Sequence, residues 1–363
     1  MTAVSPIPLS PKIAARAASR TDLRIVDPTT EANWDALLAT HPHATFFHSA
    51  AWARTLAGAY GFPCRYFAAI NNGELCGLLP IIEARSWLRG TRGVSLPFTD
   101  ECSPLVSSEV SMDSLLEVAM QDGATRGWKY LELRGGQKLF ESVPESTSYY
   151  GHRLSLSSPD DVLEKCESSV RRAIRRAERH GVTVRFGTDV ESVRAYYRLH
   201  CRTRTKHGAP PQPFKFFQSL HDHALQTGHG FIALAMHDEQ PVAGTVFLQF
   251  ARKAIYKFSA SDERRKDLCG PTAVIWQAVH KLIEAGVTEL NFGNTSLSND
   301  GLRRFKQNWG AEEYFVHHTR YCFERRSFVK TGDLAAGAQA RIFALLPIFL
   351  SRWIGRAVYP HMN

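Results

Sequence analysis

The chain has no Cys-x-x-Cys pair, and its seven cysteines, at 64, 76, 102, 166, 201, 269 and 322, are scattered and odd in number. That excludes a disulfide framework and a spaced structural zinc site, and it suits a reducing cytoplasm. Long apolar runs are also missing. The longest uncharged one, residues 342–350, is about half of the ~20 residues that a membrane span needs. The first 20 residues mix Pro, Ser, Ala and basic side chains without an apolar centre, so they read as a disordered tail and not as a secretory signal. His221, His223 and His229 match no zinc spacing and read as surface histidines, and no metal is expected. Acid is in deficit: 35 Asp and Glu against 44 Lys and Arg leave a net charge of +9. An excess of that kind favours anionic partners such as nucleic acid, CoA-like ligands or an anionic membrane face.

What is present is an ordinary soluble composition, 44% hydrophobic and 22% charged over 363 residues, with room for two domains. The most informative stretch is 239–310. Two apolar runs, 242–250 and 253–259, read as a hairpin turning at Arg252-Lys253. A charged loop, Asp262-Glu263-Arg264-Arg265-Lys266-Asp267, closes on Gly270-Pro271. Ile275, Val279, Leu282 and Ile283 then form a helix face that stops at Gly286, and a strand over 287–292 breaks at Gly293-Asn294. Such an arrangement builds a cleft for a thioester or ester donor.

The first half repeats this plan. Helices are expected near Trp34 and over 46–60, a hairpin over 66–70 and 75–82 around Asn72-Gly73, and a helix through Met112, Leu115 and Ala119 capped by Ser111. A strand over 130–133 follows Gly127. Gly77 in the first hairpin answers Gly244 in the second, and Leu131 and Leu290 each stand four residues past a glycine. The halves look like one supersecondary plan used twice, offset by roughly 160 residues.

Between them, residues 168–181 form a helix with a narrow apolar stripe flanked by Arg171, Arg172, Arg175, Arg176 and Arg179. It is either a solvated helix with one buried edge or an anion-binding face. Farther on, Arg204 and His207-Gly208 lead into a proline-rich loop bordering the second hairpin. The tail, 331–363, carries bulky apolar residues with Arg341, Arg352 and Arg356, and reads as a helix packed on the core or lying on an anionic membrane.

Taken in order, several segments resemble the FemAB-like branch of the GNAT acyltransferase superfamily, across most of residues 40–320. They are Phe47-His48-Ser49-Ala50-Ala51-Trp52, Leu96-Pro97-Phe98, the basic helix from Arg171 to Glu178, His207-Gly208-Ala209-Pro210, Gly270-Pro271, Asn291-Phe292-Gly293, and Phe305-Lys306 before Trp309-Gly310. The resemblance implies an α/β (α+β) fold of two tandem GNAT-like domains, 21–155 and 156–325, with mixed sheets flanked by helices and an amphipathic tail over 326–363. It implies transfer of an acyl or aminoacyl group, from acyl-CoA (acetyl-CoA) or aminoacyl-tRNA, to an amine. Acceptors in the family include peptidoglycan precursors and exopolysaccharide-linked or other envelope metabolites.

It also points to Lys306 as the group that stabilises the tetrahedral intermediate; the alternative is a surface lysine. Glu289, Asp262 and Tyr256 are the candidate acids or bases near strand ends. Arg134, Arg171, Arg175, Arg204, His207 and Asn294 are candidates for substrate binding. Arg264, Arg265, Lys266, Gly270 and Thr272 are candidates for holding the donor. One departure stands out: ordinary members cradle the CoA pyrophosphate on backbone N–H groups at a helix N-terminus. Here Asp267 is an acid and Pro271 has no N–H to give, so an aminoacyl-tRNA donor stays open. So does a third reading, a degenerate protein that only binds membrane or nucleic acid. An open polar cleft beside Lys306 favours the enzyme.

Overall fold

The computed structural model describes residues 22–87, 89–107, 112–136, 139–140, 143–330 and 348–361. The N-terminal tail, the proposed cap at Ser111 and residues 331–347 of the C-terminal tail lie outside the described residues.

The first half runs β1 (Asp22–Val26), α1 (Trp34–Ala39), α2 (Ala50–Tyr60), β2 (Cys64–Asn71), β3 (Glu74–Ser86), β4 (Gly90–Val94), β5 (Leu105–Val106), α3 (Met112–Thr125), β6 (Tyr130–Arg134) and β7 (Glu145–Ser155). The second runs α4 (Pro159–Lys165), α5 (Ser168–Arg179), β8 (Thr183–Gly187), α6 (Val190–Lys206), α7 (Phe214–Leu220), β9 (Gly230–His237), β10 (Gln240–Phe250) and β11 (Lys253–Ser261). It continues through α8 (Gly270–Glu284), β12 (Glu289–Asn291), β13 (Thr295–Ser296), α9 (Asp300–Gln307), β14 (Glu312–Cys322) and β15 (Ser327–Phe328). A last helix, α10 (Ile348–Val358), follows.

All strands belong to one mixed sheet, whose main path is β1-β2-β3-β4-β6-β14-β7-β12-β11-β10-β9-β8. This order reads the same from either end if β14 and β7 change places. Each half's last strand has crossed over: β7 pairs with β12 of the second half, and β14 pairs with β6 of the first. The crossed strands pair with each other in the middle, antiparallel.

The duplication is therefore plain, with one shift from the sequence reading. The match of the β2–β3 hairpin is β9–β10, which turns at Asp238-Glu239 and places Ala243 where β3 has Gly77, one residue before Gly244. Residues 253–261 correspond to β4, a short strand that carries little apolar pattern of its own. The expected helix over 46–60 also divides. Ser49 takes an extended backbone and its side chain accepts from Trp52 N at 3.3 Å, so a tight turn at Phe46–His48 precedes α2.

One face of the sheet is buried by α1, α2, α6 and α7 in a single core shared by both halves. Trp34, Trp52 and Tyr66 meet Tyr196, Phe216 and Phe217 there. A fully buried phenylalanine such as Phe216 contributes roughly 1.5–3 kcal/mol. On the other face the halves keep separate cores, one beneath α3 and one beneath α5 and α8. In α5, Val170, Ile174 and Ala177 are buried and Arg175 is exposed, which is the narrow-stripe helix expected.

Candidate active site

Two pairs of parallel strands in this sheet separate at one end, one pair in each half. In the first half β4 and β6 pair at Gly93–Leu131 and Val94–Glu132. The parting beyond them is closed by the chain itself. Ser95 N donates to Glu132 O at 2.7 Å, Arg134 N to Ser95 Oγ at 2.9 Å, and Cys102 N to Arg134 O at 2.8 Å. Beneath it Glu132 is buried between Arg134 and Arg320, which hold its carboxyl at about 2 although burial alone would raise it.

In the second half β11 and β12 pair from Lys253–Glu289 to Ile255–Asn291 and then separate. Phe292 N turns away to His152 O of β7, at 2.9 Å. The carbonyls of Gly293 and Asn294 are left facing the gap, and Lys306 fills it. Its Nζ donates to Gly293 O at 2.8 Å and to Asn294 O at 3.1 Å, and the residue is 1% exposed. Asn299 caps α9 by accepting from Leu302 N at 3.1 Å, which fixes the turn of helix that carries Lys306.

Opposite Lys306 stands Asp100, delivered by the first half. The segment 96–104 zips its own parting and then reaches across. Asp100 Oδ2 accepts from Lys257 Nζ at 2.5 Å, and Asp100 O accepts from Asn294 Nδ2 at 2.5 Å. The backbone makes this reach through two left-handed residues, Leu96 (φ 58°) and Phe98 (φ 63°). Gly293 is required beneath it: at φ 69° a Cβ would lie 2.9 Å from Asp100 Oδ2. Burial lowers the Lys306 ammonium from its ordinary value to about 8, Asp100 works against that shift, and Lys257 adds to it.

A cavity of about 710 Å³ opens beside Asp100 and is lined from both halves. The first half gives His41, His48, Asp100, Glu101 and, from β7, Arg153; the second gives Lys253, Glu289 and Asn291. Its wall is wired: Gly293 N donates to Asn291 Oδ1 at 2.7 Å, Asn291 Nδ2 to Tyr314 Oη at 3.1 Å, and Tyr314 Oη to Glu101 Oε2 at 2.7 Å. Arg153 stacks on the Tyr314 ring at 4.0 Å. His48 is buried and neutral, its pKa lowered to about 4 by desolvation, with Nε2 2.9 Å from Ser103 O.

Of the residues singled out from sequence, Lys306 and Asn294 meet directly, and Glu289 lines the adjoining cavity. The others lie elsewhere. Tyr256 is half-buried and packs on Phe292 against the core beneath α8, and desolvation raises its hydroxyl. Asp262 caps the turn Glu263–Leu268, and Arg264 holds its carboxyl at about 2. Arg264 is spent on Asp262, and Arg265 on His237, leaving Lys266 in an ion-pair-free position on that turn among the described residues. Gly270 opens α8 but lies against β10, where a Cβ would meet Ala243 Cβ at 3.0 Å. Thr272 N donates to Cys269 O at 3.0 Å, inside the first turn.

Arg134 is tied to Glu132 in the closed first half. Arg171 donates to the carbonyls of Leu163 (3.2 Å) and Glu164 (3.3 Å) at the end of α4, while Arg175 is solvated. Arg204 donates to Tyr359 Oη at 3.1 Å, and His207 caps the end of α6. Asp100 and Lys257 carry no signal of their own in the sequence; the nearest hint is the Leu96-Pro97-Phe98 segment just before Asp100.

Residues 164–315 match the family model described as the acetyltransferase (GNAT) domain. The second half of the chain thus carries a GNAT acetyltransferase domain. No curated protein matches the chain. Among solved structures, FemX shares its fold with a TM-score of 0.65 at 14% identity, over 78% of this chain and 94% of that one. L-PGS from Bacillus licheniformis gives 0.54 at 14% identity, over 88% and 98%. The C-terminal domain of a putative lysylphosphatidylglycerol synthetase from Agrobacterium fabrum gives 0.52 at 12% identity, over 80% and 90%. At these identities the likeness is one of fold. It extends over both halves of the sheet, so the tandem arrangement expected from the sequence is the observed one.

Proposed function

We propose that this acyltransferase moves an acetyl or aminoacyl group from an activated donor to the amine of a cell-envelope or exopolysaccharide precursor. The observation that carries the reading is the buried Lys306 ammonium at the β11–β12 parting, beside Asp100, which itself lines a cavity built by both halves. The amine enters the cavity beside Glu289, whose carboxylate accepts no hydrogen bond from the described residues, and Glu101. Its nitrogen attacks the donor carbonyl carbon, the N–C bond forms, and charge gathers on the carbonyl oxygen. Lys306, with a positive charge and one N–H beyond the two given to backbone carbonyls, stabilises that oxygen. The C–S or C–O bond to the donor then breaks. Glu289 takes the amine proton, and the leaving thiolate or alkoxide is protonated from solvent or Lys306.

For the donor, acyl-CoA is the general GNAT choice. Aminoacyl-tRNA is the second reading, and the α8 entrance favours it: Arg264 and Arg265 are already paired, and Pro271 withholds an N–H. The fold shared with the C-terminal domain of a putative lysylphosphatidylglycerol synthetase supports an envelope acceptor. We place the reaction in the cytoplasm at the inner membrane face, where such acceptors are reached. Among the described residues no helix is long and apolar enough to cross a membrane.

The test is single-turnover transfer to a panel of amine acceptors with acetyl-CoA, longer acyl-CoAs and charged tRNA, read by product mass. Transfer from any of these that is lost in Lys306→Met supports the reading. Absence of transfer from all of them returns the chain to the binding-only alternative.

A further inference from the structure

Trp87 and Trp353 are 83% and 71% exposed, far more than the other large apolar side chains described. They come from distant parts of the chain: Trp87 from the tip between β3 and β4, Trp353 from α10. The two parts are joined, because the Trp87 ring meets the His361 ring at 6.0 Å, edge to face, just past the end of α10.

Helix α10 is held in a fixed orientation. Ser351 is 1% exposed, and a Cβ at Gly355 would lie 2.1 Å from Pro211 O. Tyr359 donates to Pro210 O at 3.1 Å and accepts from Arg204 at 3.1 Å. These positions, four residues apart, share the inner side of the helix. The outer side carries Leu350 and Trp353 with Arg356 alongside, while Arg352 lies at its edge with its guanidinium 5.3 Å over the Tyr197 ring of α6, and residues 348–361 contain no acid. A helix fastened through glycine and tyrosine, while presenting tryptophan, leucine and arginine outward, does not leave its apolar groups to water by default of packing.

We propose that this two-part face, the Trp87 tip and the outer side of α10, docks on anionic lipid bilayers. Indole rings favour the headgroup boundary, where an apolar body and a polar N–H are both accommodated. Arg356 on the same face matches the negative potential of an anionic leaflet. Leu350 and Trp353 are groups that a nucleic acid backbone does not match, so the lipid surface fits this face better than tRNA. The inference rests on the proposed placement at the membrane and not on the donor or the transfer chemistry.

Flotation of the full-length protein with vesicles tests it. The protein partitions into phosphatidylglycerol–phosphatidylcholine vesicles and not into phosphatidylcholine alone, and its tryptophan emission shifts to the blue. Trp87→Ser with Trp353→Ser lowers partition at least about tenfold, while Arg356→Gln lowers it about fivefold and weakens its salt dependence. None of these residues lines the cavity, so turnover of a water-soluble acceptor stays unchanged and separates a failure of docking from a failure of the enzymatic reading. Wild-type protein that ignores phosphatidylglycerol vesicles overturns the proposal. So does a double tryptophan variant, with an unchanged melting temperature, that floats as wild type does.

Discussion

The two partings of the sheet began as copies and have been finished in opposite ways. Between β4 and β6 the gap is sewn by main-chain bonds from Ser95 and Cys102, over a carboxylate clamped by two arginines. Gly93 lies beneath it against Trp128, whose ring would be 2.3 Å from any Cβ there. Between β11 and β12 the same gap keeps two carbonyls unsewn and gives them an ammonium. A buried backbone carbonyl needs a partner. The first half meets that need with backbone, which leaves nothing for a reaction; the second meets it with a side chain whose charge is available. Duplication thus yields one parting closed by backbone and one closed by a side chain. The first also lends the second Asp100, from the loop that closes its own gap.

Three experiments can break or sharpen that contrast. The largest effect is expected from Glu132→Ala. It strips the buried counter-charge from half-buried Arg134 and Arg320 and costs about 3–5 kcal/mol in urea unfolding, with the turnover of the folded fraction unchanged. A loss of turnover in folded protein would mean that the first parting is chemical after all.

Next is Lys306→Met, which is expected to slow transfer by about 10²–10³-fold with an unaltered circular dichroism spectrum. The pH dependence sharpens this. Lys306 has its folded pKa at about 8, below the ordinary 10.5. Between those values the unfolded chain binds the extra proton, so the lysine's contribution makes stability rise with pH. Turnover moves the other way, falling above pH 8 as the ammonium discharges. Unfolding of wild type and Lys306→Met compared across that window isolates the first trend, and a pH–rate profile gives the second. Parallel trends would remove Lys306 from the chemistry.

The smallest effects concern α5, which has no counterpart among the described residues of the first half. Arg171→Gln is expected to cost about 1 kcal/mol through the carbonyls it holds at the end of α4. Arg175→Gln is expected to stay within about 0.5 kcal/mol, with donor affinity unchanged across ionic strength if that face is merely solvated. Thermal unfolding and salt-dependent binding read both.

The periodicity of Ile275, Val279 and Leu282, the glycine stops at Gly127 and Gly286, and the Asn72-Gly73 turn were legible because each is a local preference. The partners of β7 and β14 were not, since alternation along a strand fixes its faces and says nothing of its neighbour. The same blindness hid Asp100. Its meeting with Lys257 and Asn294 depends on two left-handed residues at Leu96 and Phe98, neither a type that announces that backbone. Lys306 was legible only through resemblance, as its helix is short and polar. Asp262 looked catalytic and Arg264 looked fit to hold the donor because sequence cannot tell a capped loop from an empty cleft.

The crossing of β7 and β14 sets a timetable for synthesis. While the ribosome has delivered only the first half, β6 waits with a bare edge for a strand not yet made, and β7 is committed to a neighbour equally absent. Nothing in the sheet can be completed until Cys322 has emerged, so the nascent chain carries unpaired strands for most of its translation. Proteolysis of ribosome-arrested chains is expected to show protection of both halves appearing together and late. Early protection of residues 22–155 alone would show that the first half reaches a folded state without its borrowed strand.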